Sequence, residues 1–351
     1  MNKNYIYMAI TGILIIIFIV MYVGFGKENK FEDAEFEKRV EEYSQRLKEE
    51  KARAEEEKAR ADEILAETPG IACWGDGFTY GTYGDGTSYP NKLGELLEEE
   101  GYPYEVSNMG VYGEDSRTVL GRCGALPFVV KSDFTIDGNG ELIKIDIVSA
   151  DGNEVNPCIQ DYNPGFNPCV VEGVKCTIYG ETTSENIYKA NAYYLSRGDN
   201  STESVEVKAG TQIITSGSRD YKKHINILQI GDGGGYSTDT ELIEQTERFV
   251  NSLDGSQKYI IIGRLTGDDA DNEAYDKAME AKYGNHYINA RKIMCGYEVE
   301  NVVYSEVDKA EAEKGSIPEC LAKNGYLNEA GYNELGKIVF SRLEELELLN
   351  K

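Results

Sequence analysis

From Ile71 onward, short apolar runs alternate with helical segments, and each of the first three runs ends in a glycine-rich turn. The runs IACWG (71–75), YEVSNMG (104–110), INILQIG (225–231), KYIIIGRL (258–265) and HYIN (286–289) read as buried strands. A loop, GDGFTYGTYGDGTS (75–88), follows the first run, and helices are expected over 89–100, 116–122, 240–253, 271–283 and from 328 to about 348. Strand–helix alternation of this kind implies an α/β fold with a parallel sheet covered on both faces. Such sheets bind ligands beyond the carboxyl ends of their strands. The turns after the first three strands are therefore the candidate site.

Between 125 and 222 the alternation stops. The runs at 128–136, 142–150, 169–180, 186–196 and 203–215 are β-type and are separated by DGNG, ADG and RGDNS turns. This stretch reads as an inserted, β-rich domain, which leaves 70–124 and 223–351 as two parts of one α/β domain. Its wall or ligand role is open at this stage.

The amino-terminal segment has a different composition. After a short tail (1–4), residues 5–26 (YIYMAITGILIIIFIVMYVGFG) carry no charge, which meets the roughly 20 residues needed to span a bilayer. A secretory leader would have a shorter apolar core and a small-residue cleavage site, so an uncleaved membrane anchor is expected here. Lysines flank both sides of the run and do not settle its orientation. Residues 27–69 are dense in charge, and Phe36, Val40, Tyr43 and Leu47 keep heptad spacing that Ala54 and Ala61 continue weakly. This stretch is expected to be a helical stalk, either a single-helix spacer or a homodimer contact through 31–68.

With 36 Lys+Arg against 62 Asp+Glu, the net charge is −26, which argues against nucleic acid as a partner. Only His224 and His286 are present, which excludes a poly-histidine metal site, and the seven cysteines show no metal-ligand spacing. No metal ion and no cofactor is expected. Cys158 and Cys169 each follow Asn-Pro and could pair outside the cell; seven reduced, buried thiols are the alternative. His224 and His286 open strands, far from the candidate turns, and are expected to be structural. GDGGGY (231–236) lacks the lysine of a phosphate loop, and Asp232 would repel a phosphate.

Four blocks resemble the SGNH/GDSL hydrolases, a family of esterases, lipases and carbohydrate deacetylases. GDGFTYG (75–81) is similar to their first-block turn, NMGVYGED (108–115) to the second, IGDGGGY (230–236) to the third and KNGYLNEAGY (323–332) to the last. The resemblance implies a three-layer, flavodoxin-like domain and acyl-transfer chemistry. A first-block serine would attack an ester, a last-block histidine would take its proton, and a last-block aspartate would orient the histidine. Backbone N–H groups and a third-block asparagine would hold the oxyanion. The corresponding positions here are Gly77 for serine, Gly233 for asparagine, Lys323 for aspartate and Tyr326 for histidine. Gly113 and the N–H of Gly77 remain. Losing one member of such a triad leaves only residual catalysis, so no residue is expected to be catalytic in the family's manner. The resemblance also favours placing the large domain outside a cell membrane crossed once.

Three functions fit these residues. A catalytically degenerate protein could bind a surface glycan, an acylated polymer or a protein in its cleft. The cleft would be lined by Asp76, Gly77, Thr79, Tyr80, Tyr112, Gly113, Asp232, Gly233, Tyr236 and Tyr326, with Tyr80, Tyr83, Tyr112 and Tyr236 as stacking surfaces. An active esterase or carbohydrate deacylase would need unorthodox groups. Candidates are an Asp76–Asp232 carboxylate pair, a Lys323–Tyr326 acid–base pair, or the Thr79 hydroxyl, which has no evident base. A purely structural scaffold is the third.

Overall fold

A computed structural model describes residues 70–138, 140–158, 164–183, 189–199, 201–253 and 258–351, together with Gln45. The chain divides into units 1–66 and 67–351, and every described residue but Gln45 belongs to the second. The expected anchor (5–26) and stalk (27–69) lie outside the described residues, apart from Gln45. Among the described residues no helix is long and apolar enough to cross a membrane.

In chain order, β1 (Ile71–Gly75) runs into a one-turn helix, α1 (Gly77–Tyr80), and then α2 (Tyr89–Glu99). β2 (Val106–Gly110) leads to α3 (Ser116–Cys123). The β-rich stretch follows as β3 (Phe128–Val130), β4 (Phe134–Ile136), β5 (Ile143–Ile145), β6 (Ile147–Ser149), β7 (Cys169–Val171), β8 (Val174–Thr182), β9 (Ala190–Arg197), β10 (Val205–Val207) and β11 (Gln212–Ile214). After α4 (Ser216–Asp220) come β12 (Ile225–Gln229), α5 (Asp239–Ser252), β13 (Tyr259–Ile262), α6 (Asp269–Tyr283) and β14 (Tyr287–Ile288). The chain ends with α7 (Ala290–Cys295), α8 (Glu306–Glu313), the hairpin β15 (Ala322–Lys323) and β16 (Tyr326–Leu327), and α9 (Glu329–Glu345).

Among the described residues, a parallel sheet has the order β14-β13-β12-β1-β2. The chain leaves β1 for β2 on one side and returns to β12 on the other. The carboxyl ends of β1 and β12 thus flank the switch point at which open α/β sheets form their crevice. β1 explains the burial on both faces. Ile71 and Cys73 pack with Leu93 and Leu97 of α2 and Leu335 and Val339 of α9, while Ala72 and Trp74 pack with Val119 of α3 and Phe249 of α5.

The stretch expected to be one long loop after β1 contains α1. Asp76 Oδ1 accepts from Phe78 N at 2.9 Å, and Gly81 closes the turn at φ 95°, a left-handed geometry that glycine adopts without penalty. In the fifth strand, Gly284–His286 form a tight turn and only Tyr287 and Ile288 join the sheet.

The β-rich stretch forms an antiparallel sheet in the order β5-β9-β8-β7-β11-β3-β6, with β10 and β4 paired separately. Of the two readings of the cysteines, the structure holds the reduced one: Cys158 and Cys169 are not paired, and all seven cysteines are free thiols. Ladder register rather than the repeated Asn-Pro decides the neighbours. Cys169 lies opposite Cys176, and the Cys158 backbone N–H donates to Glu114 Oε1 at 3.3 Å.

A buried ion pair joins the two sheets. Arg122 Nε donates to Glu114 Oε2 at 2.6 Å, with both side chains fully buried. The same guanidinium donates to Gly75 O (3.2 Å) and to Pro164 O in the β-rich stretch (2.9 Å), while the Thr215 hydroxyl donates to Arg122 O at 2.7 Å.

Candidate functional site

The floor of the crevice is backbone. The Gly110 Cα comes so close to α1 that an added Cβ would lie 2.1 Å from Tyr80 N, so only glycine fits at the end of β2. Val111 N donates to Gly75 O at 3.1 Å, which ties the second turn to the first. Gly113, at φ 85°, turns the chain toward the buried Glu114.

The decisive geometry is at Gly77. A Cβ placed there would lie 2.7 Å from Tyr326 Cε1, 3.0 Å from Thr82 Oγ1 and 3.1 Å from Tyr112 Cδ2. The space that a side chain at residue 77 would need is filled by the Tyr326 phenol ring. Tyr326 packs with Phe78 (ring centroids 4.8 Å), Tyr83 (5.9 Å) and Tyr112 (6.0 Å). Burial pushes its phenol up to about 12, so the ring is neutral at physiological pH and cannot take a proton from a hydroxyl.

Local sequence explains how the ring arrives there. Asn324 (φ 52°) and Gly325 (φ 81°) both adopt left-handed angles between β15 and β16, the geometry of the Asn-Gly turns that close tight hairpins. The dipeptide was a sequence signal for this hairpin. Lys323 lies opposite Tyr326 in the hairpin, but its ammonium pairs with Asp85 at 3.3 Å. The proposed Lys–Tyr acid–base pair is therefore diverted into an exposed ion pair.

On the third turn, a Cβ at Gly233 would lie 2.6 Å from Glu114 O and 2.9 Å from Asp76 Oδ2. No asparagine side chain fits between them as the turns now lie. Gly235 is similarly crowded by Ser116, and Ser116 N donates to Gly234 O at 3.1 Å.

Burial and then the Asp232 charge push Asp76 up to about 7, against hydrogen bonds from Phe78 N and Gly233 N. Asp232 is also raised, by burial, although Gln229 Nε2 (2.8 Å), Thr266 Oγ1 (2.6 Å), Thr266 N (3.0 Å) and Leu265 N (3.1 Å) all donate to it. Its donors mark Asp232 as an anchor for the turn after β13. Asp76 is 5% exposed and serves first as the cap of α1.

The tyrosines divide. Tyr80 and Tyr83 are 54% and 42% exposed, and Tyr83 holds a left-handed φ of 62° that is unusual for a bulky residue. Tyr112 and Tyr326 are half-buried beside them. Tyr236 is half-buried like them; its hydroxyl donates to Gly231 O at 2.6 Å, and the Arg264 guanidinium lies 5.3 Å from its ring centroid. Thr79 is fully buried against Gly75.

Sequence reasoning passed over Thr82. Its buried hydroxyl has no hydrogen-bond partner among the described residues and is the hydroxyl beside position 77. Both histidines are remote from the turns: His224 sits against Gly70 and Tyr221, and His286 stacks on Tyr259 at 4.4 Å. Among the described residues no cluster of His, Cys, Asp or Glu could hold a metal ion. The site thus presents exposed phenol rings over a filled pocket, with no nucleophile–imidazole pair.

No family model and no curated protein matches the chain. Among solved structures it is similar to one described as "Peptidoglycan O-acetylesterase in action, 5 min", with 13% identity, 81% of this chain and 94% of that chain covered, and a TM-score of 0.30. A likeness of that size carries no argument for activity.

Proposed function

We propose that the chain is a degenerate relative of the SGNH/GDSL hydrolases that has given up acyl transfer and uses the same crevice to bind a surface glycan. In this reading 70–124 and 223–351 form one flavodoxin-like, three-layer domain, and 125–222 is an insertion. Residues 5–26 anchor it in a membrane, and 27–69 hold it away from the surface on the outer side. The observation that carries the reading is the 2.7 Å approach of Tyr326 to the Cβ position of residue 77. An ester carbonyl has no room beside that backbone, and no base stands by to activate a nucleophile. Exposed rings at Tyr80 and Tyr83 suit the apolar C–H faces of sugars, with their hydroxyls free to hydrogen-bond.

A second reading rests on Thr82. Its unpartnered hydroxyl lies 3.0 Å from the Cβ position of residue 77, where a displaced Tyr326 would uncover it. The full chain should show no turnover of p-nitrophenyl acetate, and Tyr80→Ala or Tyr83→Ala should weaken binding to a cell-wall glycan array by roughly 3–10-fold, the worth of one lost aromatic contact. Turnover that disappears in Thr82→Ala would overturn the binding reading and establish the second.

A further inference from the structure

We infer that Cys169 and Cys176, both thiols in this structure, are placed to close a cross-strand disulfide, a covalent modification site for a disulfide-bearing oxidant. The two residues are direct partners in the β7–β8 ladder, with Val170 opposite Lys175 and Val171 opposite Val174. Directly opposed residues of an antiparallel pair hold their Cα atoms about 4.5–5.5 Å apart. That separation lies inside the span of about 4.4–6.8 Å that a disulfide bridges. Opposed side chains also leave the sheet on the same face, and here both thiols enter the core of the insertion with no solvent exposure.

The register that opposes them cannot slip easily. Glu172 (φ 47°) and Gly173 (φ 78°) form a two-residue turn with both central angles positive, the type that fixes pairing in a hairpin. β7 is also held on its other side by β11, and β8 by β9. Cys169 Sγ already reaches across the ladder, 3.5 Å from Cys176 O. The other cysteines have different neighbours: Cys73 lies opposite Ile227 and Asn108, and Cys158 sits by Glu114 and Tyr193.

Burial raises Cys169 to about 12 and Cys176 to about 11, so neither forms an appreciable thiolate in the folded protein at neutral pH. The exchange therefore belongs to folding, before the hairpin is covered. One cysteine thiolate attacks the oxidant's disulfide, forming a mixed disulfide and expelling one oxidant thiolate, which takes up the first cysteine's proton. The second cysteine then attacks the protein sulfur of the mixed disulfide, expelling the other oxidant thiolate, which takes the second proton. Two protein thiols become one disulfide, and the oxidant's disulfide becomes two thiols.

The test is to refold the reduced, denatured full chain in oxidised and reduced glutathione, alkylate what remains free, and map tryptic peptides. Cleavage after Lys175 puts Cys169 and Cys176 on separate peptides, whereas Cys158 and Cys169 share one. The expected result is a linked pair, lighter by two hydrogens than the sum of its parts, that survives in Cys158→Ser and vanishes in Cys169→Ser. Alkylation of both Cys169 and Cys176 in the refolded chain overturns the assignment. So does linkage of either to another cysteine, or refolding that succeeds only in reductant.

Discussion

The two sheets bury their strands in different ways. Every residue of β1, β12 and β13 is buried, whereas β8 alternates from buried Val174, Cys176 and Ile178 to exposed Lys175 and Tyr179. A parallel sheet clad in helices on both faces has only its ends free to vary. In this protein the carboxyl-end turns hold glycines and a phenol ring above a sheet whose central strands are buried throughout. The antiparallel sheet keeps one face outside the core, so its sequence is constrained only at every second residue. What couples a tightly specified region to a loosely specified one is the Glu114–Arg122 pair, whose neighbours come from both.

Breaking that pair should produce the largest effect. Glu114→Ala leaves a buried guanidinium without its carboxylate, and removing one partner of a buried pair costs about 3–5 kcal/mol. Urea unfolding should show that loss, and hydrogen exchange should show it spreading into the strands nearest Cys158 and Pro164. Replacing both residues with apolar ones should recover much of it. A single variant that loses under about 1 kcal/mol would mean that the two sheets are held together by other contacts, and the comparison would lose its hinge.

Asp76 tests the interior of the crevice. Its carboxyl is pushed up to about 7, above the ordinary value of 3.8 that it regains on unfolding. Below pH about 4 it is protonated in both states, and its full contribution to stability is present. As pH rises from about 4 to 7 the unfolded chain releases this proton while the folded chain retains it, so stability falls, by at most about 4 kcal/mol. Above about 7 this loss levels off. Asp133, Asp199 and Asp308 are shifted downward by their hydrogen bonds and act in the opposite sense, so the informative quantity is the difference between the native chain and Asp76→Asn. Asparagine keeps the cap on Phe78 N. The difference should shift in favour of the variant across that window; a flat difference would mean that Asp76 is charged throughout and is solvated.

Continuous apolar runs closed by glycines made β1, β12 and β13 legible, because burial on both faces leaves no room for polar alternation. β-type runs between turn residues also marked 125–222 as β-rich, but not that β11 would lie between β7 and β3, since pairing across distant segments depends on packing that no local pattern records. At the site, Gly77 and Tyr326 read in sequence as two separate losses. In space the two meet, the Tyr326 ring lying where a side chain at residue 77 would stand. Tyr236 shows a second feature that residue type does not reveal: its hydroxyl reaches back to Gly231 O, so its ring is held against the third turn. Side-chain reach of this kind follows from backbone angles such as those of Gly231, at φ 118°, which the residue type permits without specifying.

The smallest effect is expected at the rim. Lys323 and Asp85 are 45% and 66% exposed, and a pair so open to water is worth about 0–1 kcal/mol and weakens with salt. Lys323→Ala should therefore leave unfolding nearly unchanged and should leave Tyr326 in place. The Asn324–Gly325 turn sets the hairpin, and Phe78 holds the ring from beneath. Tyrosine fluorescence quenching by acrylamide, read in the native chain and in the variant, tests this directly. If the ring becomes accessible, the ion pair is a latch over position 77, and the Thr82 hydroxyl beneath it becomes reachable. If accessibility is unchanged while Asn324→Ala increases it, the backbone turn is what keeps the crevice filled.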